Sequence, residues 1–139
     1  MGFRNFDVTP FQITPITPPG KEHIIKLFQA TRTDSGTLKA MLPADTTPYI
    51  LYLYNNTASN AGTTATVTVT ISDNAGTVST GTASVLSGNA GISIIQMSGF
   101  PVVNKLPENG DYKITATYAE TGTASTAGGP WTIAVEFVQ

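Results

Sequence analysis

The chain has 139 residues, a formal net charge of −2 and no cysteine, and only 12% of its residues are charged. This length predicts one domain with a sizeable core, and the absence of cysteine excludes disulfides. With one histidine, seven Lys plus Arg and nine Asp plus Glu, the chain has few groups for acid–base or nucleophilic chemistry, so its composition argues against an enzyme.

Threonine dominates the composition, with 23 residues that in places alternate with valine, isoleucine and tyrosine. β-Branched and aromatic residues favour strands, and regular alternation is typical of half-buried strands. We therefore predict an all-β fold, a two-sheet antiparallel β-sandwich of the jelly-roll type, with an extended N-terminal arm.

Residues 1–20 form the predicted arm, ahead of a sandwich domain over residues 21–139. The arm contains four prolines, which remove backbone donors and favour extended conformations. It is also too apolar for a solvated linker. It can lie on its own domain as an edge strand or on a neighbouring subunit, and we adopt the second as the working hypothesis. The residues expected to contact partner chains are Phe3, Phe6, Phe11, Ile13 and Ile16.

Seven strand-like runs follow the arm, each bounded by turn-forming residues. The first covers residues 22–30 and places Ile25 and Leu27 opposite Ile24 and Phe28, so that both of its faces are apolar. After it, three apolar residues recur at helical spacing before a proline and predict one short helical turn. They are Leu38, Met41 and Leu42.

The run 49–54, with the sequence YILYLY, is also apolar on both faces. A strand of a sandwich places only one face on the core, so the other face is covered by something else or forms an interface. We therefore expect Tyr52 and Tyr54 to be secondary contacts with partner chains.

The remaining runs predict a hairpin over residues 65–86, whose turn is the sequence DNAG, and strands at 92–97, 111–119 and 131–138. A strand contributed by the arm would bring the total to eight. The last two runs have clear core faces, because their large apolar residues recur at every second position. These residues are Tyr112, Ile114, Ala116 and Tyr118 in one run and Trp131, Ile133, Val135 and Phe137 in the other.

No set of residues predicts a catalytic, metal or cofactor site. His23 is the only histidine and is expected to be a partly exposed strand-end residue. Asp111, Glu120 and Glu136 could form a carboxylate pair for glycoside hydrolysis only by converging in space, and solvated positions explain them better. The acidic and glycine-rich loops have too few oxygen ligands for calcium and lack phosphate-binding spacing.

Nucleic-acid and membrane partners are not expected either. The arm carries one cation, Arg4, which is offset by Asp7, so it is unsuited to packaging a genome. The longest apolar run is too short to span a bilayer, and the first 20 residues lack the pattern of an export signal.

The chain resembles the small head decoration (cement) proteins of tailed bacteriophages in its size, in the arm MGFRNFDVTPFQITPITPPG and in the strand ATVTVTIS. This resemblance implies a non-enzymatic virion protein that binds the outer surface of an icosahedral capsid, on the lattice of the major capsid protein. It also implies a homo-oligomer, a dimer or trimer, made in the host cytoplasm.

Two other functions stay open. A receptor- or carbohydrate-binding module of a phage fibre or bacterial surface protein would expose coplanar aromatic rings. A small enzyme or metal-dependent binder would gather His23 with at least two acids in a cleft.

Overall fold

The computed structural model describes residues 22–99 and 109–139, which form eight β-strands in two four-stranded antiparallel sheets packed together. The strands are β1 His23–Ala30, β2 Thr37–Leu42, β3 Thr47–Asn55, β4 Thr64–Asp73, β5 Gly76–Ser84, β6 Gly91–Ile95, β7 Tyr112–Thr121 and β8 Trp131–Val138. A 3-10 turn, Ser87–Asn89, lies between β5 and β6. The all-β sandwich predicted from the sequence is confirmed.

The strand order is that of a jelly roll. The sheets have the orders β1-β8-β3-β6 and β2-β7-β4-β5. Strand pairs whose numbers add up to nine are hydrogen bonded: β1 with β8, β2 with β7, β3 with β6 and β4 with β5. One long hairpin with its turn between β4 and β5, wound so that successive strand pairs alternate between two sheets, produces this order.

The core lies between the sheets and is built by alternation. On β4, Val67, Val69 and Ile71 are fully buried, as their spacing predicts. The predicted core faces of β7 and β8 are also buried, from Tyr112 to Ala116 and from Trp131 to Phe137. The remaining predicted core residue, Tyr118, is half-buried and stacks on Trp131 with ring centroids 5.5 Å apart.

The predicted hairpin over residues 65–86 is formed by β4 and β5. Its turn closes because Asp73 Oδ1 accepts a hydrogen bond from the N–H of Ala75 at 2.8 Å. Gly76 follows with φ +128°, a conformation that side chains disfavour. Turn chemistry visible in the sequence therefore sets the register of this hairpin.

The predicted helical turn at Leu38, Met41 and Leu42 is wrong, because these residues belong to strand β2. A β-bulge between Leu38 and Ala40 shifts the register of β2 against β7. The extra residue places Leu38 and Met41, three positions apart, on the same outer face, so the bulge imitates helical spacing. With β2 included, the described residues form eight strands without any contribution from the arm. The prediction of seven strands after the arm is therefore wrong.

Asn55, at the end of β3, is a buried polar residue that ties three elements together. Its side-chain amide donates to the carbonyl oxygens of Leu86 at 2.9 Å and Asn89 at 3.1 Å, and its Oδ1 accepts from Trp131 Nε1 at 3.1 Å. The residue is 1% exposed, so these bonds replace the water it would otherwise bind. They fix the ends of β3 and β8 to the turn that leads into β6.

A second polar contact holds the connection between β1 and β2. Asp34 is buried and accepts hydrogen bonds from the N–H of Thr31 and from Lys39 Nζ, both at 2.8 Å. Burial raises the pKa of this carboxyl, but the hydrogen bond from Lys39 and the bond from Thr31 outweigh it, so that the pKa lies below its ordinary value. Asp34 therefore stabilises the fold as a carboxylate.

Candidate interaction surface

The outer face of the β1-β8-β3-β6 sheet is the unusual surface of this molecule. The strand register aligns outward side chains in rows across the sheet, and one such row contains Leu27, Ala134, Tyr52 and Ile94. The rows on either side contain both apolar and polar residues. They contain Ile25, Glu136 and Ile50 on one side, and Gln29, Thr132, Tyr54 and Ile92 on the other.

We call the apolar part of these rows the apolar face: Ile25, Leu27, Ile50, Tyr52, Tyr54, Ile92, Ile94 and Ala134. Several of its members are strongly exposed, with Ile92 at 73%, Leu27 at 64% and Ile94 at 51%. Scattered exposed apolar residues are normal on monomers, but a continuous row across four strands is typical of an interaction surface.

A groove runs along the end of this face. It has a volume of about 370 Å³ and is lined by Tyr52, Tyr54, Ile92, Thr132 and Ala134. Its surface is almost entirely carbon. A groove of this kind binds apolar side chains and gives few hydrogen bonds for orienting a polar ligand.

The outer face of the β2-β7-β4-β5 sheet has a different character, because threonine covers its centre. Neighbouring hydroxyls are hydrogen bonded across the strands, Thr68 to Thr82 at 2.8 Å and Thr64 to Thr121 at 2.6 Å. Such cross-strand pairs satisfy one another and leave a hydrated surface. Among the described residues, the outer face of this sheet is therefore polar at its centre, with exposed Leu38 and Met41 on its edge strand β2.

A polar corner lies at the end of the apolar face where β1 begins. His23 Nε2 donates to Glu136 Oε1 at 3.0 Å, and the Tyr49 hydroxyl donates to the same oxygen at 3.1 Å and also contacts His23 Nε2. The His23 and Tyr49 rings stack with centroids 5.6 Å apart. Burial of the Tyr49 hydroxyl, followed by its hydrogen bond to the Glu136 carboxylate, raises its pKa.

This corner brings the histidine to one acid, whereas the enzyme interpretation requires at least two. Glu120 lies in the other sheet, and Asp111 precedes β7. The hydroxyl and N–H of Ser125, and the Tyr118 hydroxyl, donate to the Glu120 carboxylate and lower its pKa. Within residues 22–99 and 109–139, no group of three potential metal ligands occurs.

Of the residues predicted to contact partners, Tyr52 and Tyr54 lie on the apolar face and line its groove. Phe3, Phe6, Phe11, Ile13 and Ile16 lie outside the described residues. Sequence reasoning did not select the isoleucines of β6, Ile92 and Ile94. Their every-second-residue spacing was the available signal, but β6 is short and its partner strand could not be deduced.

Comparisons with family models, with curated proteins and with solved structures return no match for this chain. In the part of the chain that the structure describes, no helix is long and apolar enough to cross a bilayer. The surface geometry is therefore the basis on which a function can be proposed.

Proposed function

We propose that this chain is a non-enzymatic structural protein of a bacteriophage virion, which decorates and stabilises an icosahedral capsid by binding the shell surface and neighbouring copies. The observation that carries the proposal is the apolar face, which crosses all four strands of one sheet. In this proposal the protein is synthesised in the host cytoplasm and binds the outer surface of the shell through the apolar face.

The size of the apolar face supports an interaction surface. Four strands about 4.8 Å apart and three rows of outward residues about 6.8 Å apart give roughly 400 Å² for the three rows, about two-thirds of it apolar because Gln29, Thr132 and Glu136 lie in the same rows. The largest apolar patch on a monomeric protein has a similar area and is often functional. Exposure of this area to water is unfavourable, and its burial against other subunits would return a free energy proportional to the area.

The jelly-roll order is compatible with this function, because eight-stranded jelly rolls occur in viral capsid domains. They occur in lectin domains too, so the fold does not by itself select between the two. The chemistry of the exposed face is the property that distinguishes the two functions.

A receptor- or carbohydrate-binding module is the second candidate, favoured by the two tyrosines that line the groove. Sugars stack on such rings, but they also need hydrogen-bonding groups beside them. The carbon lining of the groove supplies few of these groups, and it fits the side chains of another protein better.

The test uses the full chain, the particles produced by the genome that encodes it, and two matched variants. Ile94→Lys places a charge on the apolar face, and Leu38→Lys places the same charge on the outer face of the other sheet. Both residues lie on edge strands and have nearly equal exposure, 51% and 53%.

We expect the natural chain to co-sediment with purified particles in a fixed ratio to the shell subunit, and electron microscopy to show it on the outer surface. Ile94→Lys should weaken this binding at least about tenfold, which corresponds to 1.4 kcal/mol. Leu38→Lys should bind as the natural chain does. A chain that is absent from purified particles, or that binds glycans with both tyrosines protected from modification, would refute the proposal.

A further inference from the structure

The apolar face needs an occupant, and the chain contains a segment of matching chemistry. Residues 1–18 include three phenylalanines, Phe3, Phe6 and Phe11, and two isoleucines, Ile13 and Ile16. We infer that the apolar face is the docking surface for residues 1–18 of a neighbouring copy of this chain. The inference rests on the proposed function, because it names the contact between neighbouring copies.

The groove has the size and chemistry for an aromatic side chain. An apolar cavity of roughly 150 Å³ holds a benzene molecule. The open groove between Tyr54 and Thr132 measures about 370 Å³ and has a carbon lining. It therefore accepts a phenyl ring, edge-to-face or offset against the two tyrosine rings, which is the geometry that aromatic pairs prefer.

The area of the face favours an extended segment over a second sheet stacked on it. Two outer faces of roughly 400 Å² each, polar positions included, would bury roughly 800 Å² in total, which is the size of a crystal-packing contact. Two copies that exchange segments cover both faces and bury the same area again on each segment, roughly 1,600 Å² in total, which is the size of a stable protein interface.

The prolines of the segment favour docking on the face over addition of a strand at the sheet edge. Pro10 and Pro15 each lack a backbone donor, so an edge pairing through this segment would lose hydrogen bonds at both positions. Side-chain packing on the apolar face does not need these donors. A proline-containing extended segment also loses little conformational entropy when it is bound.

The direction of the chain favours a neighbour over the same molecule. Hydrogen bonds of 2.7 and 2.9 Å between Glu22 and Gln139 fix the start of β1 beside the polar corner. β1 runs from there to Gln29, which pairs with Thr132 of the groove, so the groove is roughly 20 Å from the point where the preceding residues leave the sheet. To reach the groove of its own molecule, a preceding segment would have to return along the whole length of β1, which a segment of a neighbouring copy does not need to do.

Cysteine cross-linking of full-length chains tests the inference without background, because the natural chain has no cysteine. The donor is Phe11→Cys. The acceptor is Thr132→Cys in the groove, and the matched control acceptor is Thr68→Cys. Both threonines are half-buried on the outer face of a central strand, in opposite sheets. Donor and acceptor are purified separately, carry different tags, and are mixed under mild oxidation.

We expect the donor to form a covalent dimer with Thr132→Cys at least about ten times faster than with Thr68→Cys, because docking holds the two thiols at a high effective concentration. Adding Ile94→Lys to the acceptor should abolish the difference, whereas adding Leu38→Lys should not. Because no shell is present, failure here is separate from failure to bind particles.

Three results would overturn the inference. The first is equal cross-linking to the two acceptors. The second is faster cross-linking of Thr132→Cys chains to one another than to the Phe11→Cys donor, which would indicate stacked sheets. The third is a Phe11→Cys/Thr132→Cys double variant that links within one molecule at all dilutions and yields no dimer.

Discussion

Removal of the Asn55 side chain by Asn55→Ala should destabilise the protein strongly, because it breaks three hydrogen bonds inside the jelly roll. The indole N–H of Trp131 loses its acceptor at 0% exposure, which costs about 1–3 kcal/mol. The carbonyl groups of Leu86 and Asn89 belong to a turn that water reaches, so each of these bonds contributes about 0.5–1 kcal/mol. The expected loss in the free energy of unfolding is about 3 kcal/mol.

The assay is urea unfolding followed by the fluorescence of the single tryptophan, with far-ultraviolet circular dichroism as a second probe. At a typical slope of about 2 kcal/mol per molar urea, the midpoint should fall by roughly 1.5 M. The matched control is Asn56→Ala, the same substitution at the exposed neighbouring position. If the two variants unfold within about 0.5 kcal/mol of each other, the buried network does not stabilise the fold as argued.

Two further predictions concern packing and pH. Gly81→Ala should lower the free energy of unfolding by about 1–3 kcal/mol, because a Cβ at this position would lie 2.6 Å from the Gln96 carbonyl oxygen. The control is Gly88→Ala, whose Cβ would have no atom within 4 Å, and equal stabilities of the two variants in thermal unfolding would contradict the predicted clash. Lys39→Met should destabilise the protein by about 1.5 kcal/mol at pH 7. The folded pKa of Asp34 lies below its ordinary value of 3.8, so the ion pair stabilises the fold fully above that pH and loses its effect as the pH falls through the lowered pKa. The difference between the two chains should therefore shrink in acid unfolding, and a difference that stays constant from pH 7 to the lowest pH at which both chains fold would argue against the ion pair.

Local pattern was sufficient to predict most strands and their core faces. The alternation of valine and threonine in β4 and of large apolar residues in β8 has a period of two, which assigns each side chain to one of two faces. The hairpin was predictable for a similar reason, since Asp73 and Gly76 supply turn chemistry within four residues.

Strand β2 shows where such reasoning fails. The bulge after Leu38 adds a residue to one strand of the pair with β7, and nothing in the local sequence marks it. The resulting spacing of outward apolar residues equals that of a helix. Pairing with a strand at least 70 residues later in the chain overrides the local signal, and the sequence pattern alone does not identify this partner.

The candidate surface was partly predictable. Apolar residues on both faces of residues 22–30 and 49–54 indicated that some face outside the core is apolar, and Tyr52 and Tyr54 were identified on that basis. The two tyrosines line one groove with Ile92, Thr132 and Ala134 because the β1-β8-β3-β6 order places strands that are distant in the sequence side by side.

The all-β fold, the alternation of side chains between two faces and the scarcity of reactive groups follow from the amino-acid sequence, because they are properties of composition and of short-range period. Which strands are neighbours follows only from the three-dimensional fold, and with it the continuous surface formed by the isoleucines and tyrosines of β1, β3 and β6. Hydrogen-bonded pairing of strands distant in the chain makes that choice, since backbone donors and acceptors are the same in every strand and carry no local record of their partner.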